Sequence, residues 1–416
     1  MIKGEYFMHR NSNYKWYILI LAALTNTVVV AIPSMSMSVL FQEISRELNL
    51  SLVQVGLIWG IGALPAMFTG LLGGAIGDRF GPKRILGIAC LLLGLAGGLR
   101  GLSKDFGSLV ASVVLLGALM PIVSMNVFKT CGIWFPRQQL GLANGFLSMG
   151  MVLGFLVGSL ISATVLSPWL GGWRNVLFFY GAIAMLFSIP WFFIRGAPDA
   201  LQNTIDGCVI SLRQAIAHVM KLKDAWLLGL SILGVSGCVQ AVLGYLPLYL
   251  RGLGWPEVSA DGALGSFHTI SMIFVIPIAL WSDRLGVRKK VLLGAGLMIM
   301  VGVGLLSVVS GAMIWVAVGI AGLVRDGFMA IFITMIVETD GVGPVYAGTA
   351  TGFVMTFAFL GSLLAPPFGN SFARIAPSAP FAFWAILMAA GIFSLSLTRK
   401  PQGITGRKSI AKITES

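Results

Sequence analysis

The sequence predicts an all-α polytopic membrane protein: twelve transmembrane helices in two pseudo-symmetric six-helix bundles. Three observations lead there. First, 57% of the 416 residues are hydrophobic, only 10% are charged, and the mean hydropathy is +0.92. A soluble domain is about a quarter charged. Second, the apolar stretches are long runs, near the roughly 20 residues a helix needs to cross a bilayer, and not the short alternating segments of a barrel. Third, two unrelated motifs recur at nearly one spacing. Asp78-Arg79-Phe80-Gly81 returns as Asp283-Arg284-Leu285-Gly286, an offset of 205, and Gly141-Leu142-Ala143-Asn144-Gly145-Phe146 returns as Gly348-Thr349-Ala350-Thr351-Gly352-Phe353, an offset of 207.

In order, the first six spans are 16–40, 52–76, 85–101, 108–130, 141–165 and 174–194. The second six are 225–250, 263–281, 290–309, 312–337, 346–367 and 380–398. Polar or Gly/Pro-bearing turns separate them. The longest connection, 195–224, holds Gly196, Pro198, Asn203 and Gly207, then an amphipathic stretch from Ile210 to Leu222. The expected organisation is a bundle over 1–195, a central loop over 196–224, a second bundle over 225–400 and a tail over 401–416. Repeats of six helices keep one membrane orientation, which relates the halves by a two-fold axis along the membrane normal. The 53 glycines suit closely packed membrane helices.

Orientation follows from Lys and Arg in the loops. With the N-terminus inside, the outer segments hold six of the 28 basic residues: Arg46, Arg100, Lys104, Arg174, Arg251 and Arg374. Arg325 lies mid-span, and the other 21 fall on the inner side. Both termini and the central loop are therefore expected in the cytoplasm, and the N-terminal 1–15 reads as a cytoplasmic tail. The same bias accounts for the formal charge of +13 as a topology signal, with no nucleic-acid partner. Cys90, Cys131, Cys208 and Cys238 are far apart and form no CxxC pair, so neither a disulfide framework nor a metal site is expected.

The segment Gly74-x-x-x-Asp78-Arg79-x-Gly81-x-Lys83-Arg84 suits a tight turn between two spans. Gly81 permits the bend, and the charges can pair with or cap neighbouring helix ends. This loop resembles the signature between the second and third helices of the major facilitator superfamily. The stretch from Asp283 to Lys289 resembles its degenerate second-half copy, with Ala279 where the first glycine would stand. Trp134-Phe135-Pro136 before the fifth span and Gly172-Trp173-Arg174 before the sixth fit the same family, over about residues 15–400. The resemblance implies alternating access around a site at the midplane. It also implies a gating role, without substrate contact, for Gly74, Asp78, Arg79, Gly81, Arg84, Asp283, Arg284 and Gly286.

Arg325 and Asp326 are the charges nearest mid-membrane, near the middle of span 312–337. A charge there costs at least about 2.5 kcal/mol on insertion scales and usually faces a cavity or a partner. Arg325 is the expected contact for an anionic substrate, because its planar fork matches carboxylates and oxyanions. Asp326 orients it or takes a proton. A buried structural pair is the competing reading. Asn26 of the first span, Ser124 and Asn126 of the fourth, and Gln240 and Tyr245 of the seventh are further candidates for substrate contact. Each could equally bond between helices. His268 is a second candidate for the coupling proton, against a plain packing role.

No P-loop, HExxH or GxSxG motif appears, so neither ATP-driven transport by this chain nor an enzyme is expected. No cofactor is expected. The functional expectation is a secondary or facilitative transporter of a small organic or inorganic anion. It resembles nitrate/cyanate-type and monocarboxylate-type permeases, working as a monomer in the cytoplasmic membrane, with the bilayer and protons as its other partners. Spans two and eight lack the paired arginines of a nitrate porter, which counts against nitrate itself. Efflux of hydrophobic compounds is the alternative, given 19 Met and 26 Phe. A membrane-embedded receptor or enzyme is the alternative from another class.

Overall fold

A computed structural model describes residues 12–194, 212–285 and 288–399. Within helices, the side chains of a few residues, Leu71, Leu72, Asp78, Arg137 and Asp283 among them, lie outside the described set. The first span is one long helical rod. α1 (Ser12–Leu24) passes through a π-helical turn at Thr25–Ala31 into α2 (Ile32–Glu47). The second span is α3 (Leu52–Ile61) and α4 (Ala63–Phe80), joined at Gly62. α5 (Pro82–Gly101), α6 (Phe106–Trp134), α7 (Arg137–Ile161) and α9 (Trp173–Phe193) follow. A second π-helical turn (Ser162–Leu166) and the short α8 (Ser167–Leu170) stand between α7 and α9.

The amphipathic stretch of the central connection forms α10 (Leu212–Lys221). Beyond it lie α11 (Lys223–Gly252), α12 (Glu257–Leu285), α13 (Arg288–Leu305), α14 (Met313–Leu323), α15 (Arg325–Val337), α16 (Gly343–Ser371) and α17 (Ala379–Leu397). Among the described residues, eleven helical stretches are long and apolar enough to cross a membrane. The ninth sequence span is the 18-residue α13, which opens on Arg288, Lys289 and Lys290. Leu186, Ile276, Ile386 and Phe393 stand outward on their helices, each more than three-fifths exposed, as lipid-facing side chains do.

Local chemistry sets the boundaries. Gly81 adopts φ 79°, a left-handed conformation that ends α4, and Pro82 opens α5 with a ring suited to a first helical turn. Ser51 and Gln54 form a reciprocal cap on α3, and Asp105 and Ser108 do the same for α6. The Ser108 hydrogen bonds hold the exposed Asp105 carboxyl below its usual range.

The helices gather into two compact units. The first holds the described residues of 1–207 together with 240–269 and 363–377; the second holds those of 208–239, 270–362 and 378–416. In the first, α5 packs along α9 and against α6, and α4 packs along α6. Glycines set the spacing: a Cβ on Gly94 would meet the Gly181 carbonyl oxygen at 2.6 Å. On α7, Gly150, Gly154 and Gly158 recur every fourth residue against the first rod; a Cβ on Gly154 would lie 2.5 Å from that of Ala31. In the second unit, α13 packs along α17 and α14, the counterparts of α5 with α9 and α6 under the sequence repeat. A Cβ on Gly302 of α13 would lie 2.7 Å from the Ala317 carbonyl oxygen. The repeat in sequence thus has a matching repeat in packing.

Candidate functional site

The mid-span charges sit at a break in their helix. Val324, with φ −107° and ψ −4°, separates α14 from α15, so Arg325 and Asp326 open a new helix in the middle of the tenth span. A helix start leaves backbone N–H groups without intrahelical partners. Here α12 supplies one. Ser271 Oγ accepts the Asp326 N–H at 3.1 Å and donates to Asp326 Oδ2 at 2.7 Å. The carboxylate also lies at the positive end of the α15 dipole. α15 reaches α12 closely because of Gly327, whose Cβ would lie 2.9 Å from Ile278 Cγ2.

Arg325 Nη1 lies 3.5 Å from Asp326 Oδ1, with side-chain exposures of 17% and 24%. That separation exceeds the range of a hydrogen bond. The pair is therefore coupled by charge and not locked by a bidentate fork, and neither side chain is fully buried. Arg325, Asp326 and Ser271 form one cluster, all within the second unit.

The remaining sequence candidates lie in the first unit, and most are tied to backbone. Asn26 sits in the first π-helical turn, fully buried, and donates to the Leu147 carbonyl oxygen at 3.4 Å. Its neighbour Thr25 accepts the Trp191 indole N–H at 2.9 Å. Asn126 is buried and donates to the carbonyl oxygens of Gly73, at 3.0 Å, and Ile122, at 2.8 Å. Tyr245 is buried and donates to the Pro377 carbonyl oxygen at 2.9 Å. His268 is fully buried between Phe155, 5.6 Å away by ring centroids, and Phe267. Gln240 and Ser124 are half-buried, and the Gln240 carbonyl oxygen accepts the Trp59 indole N–H at 2.6 Å.

Of the expected gating residues, Arg79 and Arg84 are exposed, and the Arg79 guanidinium lies 5.4 Å from the Phe80 ring centroid. Gly81 makes the left-handed turn, and Arg284 is exposed at the end of α12. Gly286 and the side chains of Asp78 and Asp283 lie outside the described residues, as do the surroundings of Gly74. In the second copy the next two basic residues are used as helix ties. Arg288 pairs with Glu338 at the end of α15, and Lys289 donates to the carbonyl oxygens of Ser396 and Thr398 at the end of α17.

Three polar features have no counterpart among the sequence expectations. Ser271 carried no signal beyond being a serine in an apolar span. Arg251 and Asp261 form a buried ion pair, although Arg251 counts by sequence as an outer-loop residue and Asp261 falls just before the eighth span. Arg100, also counted as outer, is buried at the end of α5. An arginine and an aspartate ten residues apart across a Gly-containing turn was the available signal for the ion pair.

The sequence profile of the Major Facilitator Superfamily matches residues 19–366. A protein of Cupriavidus necator described as a probable sulfoacetate transporter is 27% identical over 41% of this chain and 40% of its own length. The cis,cis-muconate transport protein of Acinetobacter baylyi is 25% identical over 69% of this chain and 71% of its own. Among solved structures, a bacterial homolog of the human lysosomal transporter Spinster, inward-facing and unoccupied, superposes with a TM-score of 0.74. It is 16% identical, over 93% of this chain and 95% of that one, a likeness of fold.

Proposed function

The chain belongs to the major facilitator superfamily, and from that premise we propose that it carries a small organic or inorganic anion across the membrane by alternating access. The observation that carries the reading is Arg325. It is a guanidinium at mid-span, at a helix break, 3.5 Å from the Asp326 carboxylate. The planar fork of a guanidinium matches a carboxylate or oxyanion, and Ser271 holds Asp326 in place beside it. Two relatives named for small organic anions support the same class.

The bodies that rock are the two sequence repeats, 1–195 and 225–400, with the 78–84 loop and its copy as the latch between states. The tight turn at Gly81 and the exposed Arg79 and Arg84 suit that role. Gln240 and Ser124, half-buried, are secondary contacts for the solute. Asn26, Asn126 and Tyr245 act by positioning helices, because each is buried and bonded to a backbone carbonyl. Protons are the coupling ion, with Asp326 ahead of His268 as their carrier at the site. The protein is a monomer of the cytoplasmic membrane with both termini and the central loop inside.

A thermal-shift screen of the purified protein against small carboxylates, sulfonates and inorganic oxyanions tests the reading. A ligand at a hundred times its Kd stabilises by about 2.7 kcal/mol. Stabilisation by hydrophobic cations and by none of the anions would overturn it in favour of efflux.

A further inference from the structure

Arg251 closes α11 and Asp261 lies in the second turn of α12, on either side of a turn in which Gly254 adopts φ 83°. Arg251 Nη2 donates to both carboxylate oxygens of Asp261, each at 2.7 Å. Its Nη1 donates to the Val39 carbonyl oxygen of α2, also at 2.7 Å. Both side chains are shut away from solvent, at 2% and 0% exposure. One guanidinium thus staples the α11–α12 hairpin to itself and to the first rod. Two more links join these later segments to the first half within the same unit. Asn370 donates to the Leu52 carbonyl oxygen at 2.8 Å, and a Cβ on Gly56 would lie 2.8 Å from the Pro366 backbone.

The pair is unlike the other ion pairs among the described residues. Arg174–Glu47, Arg288–Glu338 and Arg325–Asp326 all keep partial exposure. A buried pair is held by mutual attraction that replaces lost hydration, and removing the charge of one partner leaves the other uncompensated. α2 belongs to the first sequence repeat and the hairpin to the second. Any cycle in which the repeats part on this face must withdraw Nη1 from Val39.

Resting on the alternating-access reading, we propose that Arg251 and Asp261 are the latch of the membrane face carrying the 253–256 turn, and that a proton arriving on Asp261 opens it. The proton neutralises the carboxylate. The guanidinium then loses its bonded counter-charge in a buried place, leaves for water and releases the Val39 carbonyl. Loss of the proton to the medium restores the pair and closes the face. The other ionisable groups acting on Asp261 are Glu257, one turn earlier on α12, and Glu43 of α2, which accepts a hydrogen bond from Ser167. Both are carboxylates, and neither is the bonded partner of Arg251. This site is separate from Asp326 and His268 and adds a second place where protons meet the cycle.

The test reads accessibility and not uptake, so it stands apart from whether an anion is carried. Ser38, next to Val39 and 1% exposed, is replaced by Cys in a background whose four native cysteines are Ser. Labelling by a membrane-impermeant maleimide is followed from the face of the 253–256 turn, in proteoliposomes without substrate. The parent should label slowly near neutral pH and on the order of tenfold faster as that side is brought to about pH 5, toward the range in which carboxylates take up protons. Glu43→Gln and Glu257→Gln should keep that response. The charge-balanced Arg251→Gln/Asp261→Asn variant, checked for folding by gel filtration, should label fast at every pH. A parent rate that ignores pH overturns the proposal without any latch variant. So does a folded double variant that labels as slowly as the parent.

Discussion

Ser271 and Asp326 hold one another reciprocally: the serine hydroxyl accepts the aspartate's backbone N–H and donates to its carboxylate. They are 55 residues apart in sequence and on different helices, yet the arrangement does the work of a local helix cap. It fixes the start of α15, and with it the direction in which Arg325 leaves the backbone.

The first prediction concerns this cap. Ser271→Ala should lower stability by about 1 kcal/mol, the typical cost of an N-cap loss, and should weaken anion binding through Arg325. Ser271→Thr, which retains the hydroxyl, should recover most of both. Thermal unfolding and equilibrium binding check it. Unchanged affinity in Ser271→Ala would remove Ser271 from the site.

The second concerns Arg325. A hydrogen bond to a charged group contributes roughly 1.5–3 kcal/mol, so Arg325→Gln should lose about ten- to a hundred-fold in anion affinity. Arg325→Lys should bind measurably but more weakly, keeping the charge without the fork. If Arg325 served only to neutralise its neighbour, Arg325→Gln/Asp326→Asn would fold and bind as the wild type does. That result would end the substrate-contact assignment.

The third separates positioning from contact in the fourth span. A Cβ on Gly77 would lie 1.9 Å from Asn126 Oδ1. Gly77→Ala must therefore displace Asn126 from the Gly73 carbonyl oxygen, and overpacking of this kind costs about 1–3 kcal/mol. Gly77→Ala and Asn126→Ala should both lower the melting temperature. Neither should change relative affinities within a series of anions. An altered order of preference in Asn126→Ala would place it against the solute.

The fourth concerns gating and topology. Asp78→Asn should slow turnover in proteoliposomes while leaving equilibrium binding within about twofold, the mark of a residue acting on exchange between states and not on ligand contact. Gln214 of α10 is exposed. A Cys placed there should resist an impermeant reagent in intact cells and react after permeabilisation. Rapid labelling of intact cells would reverse the orientation drawn from the Lys/Arg bias.

Some of this was settled by sequence alone. Long apolar runs determine that helices span the membrane, because a bilayer leaves backbone groups no other partners than their own helix. The recurrence of Asp78-Arg79 at Asp283-Arg284 marks two repeats, and Arg325 with Asp326 stands out because charges in an apolar span are costly enough to need a reason. Tertiary structure decided which polar groups meet. The break at Val324 has no proline or glycine at its position to announce it, and the N–H it frees is met by a serine on another helix. Arg251 looks like a loop residue in a hydropathy profile and Arg100 sits at a span end, yet both are buried, and Arg251 pairs with Asp261 and Val39. Asn126 reads as a cavity residue by type, and its amide N–H donates to the Gly73 carbonyl oxygen of another helix. Hydropathy sums along the chain, so it records that a polar group is present in a span. The energy of that group depends on the atoms opposite it, and those come from helices far away in sequence.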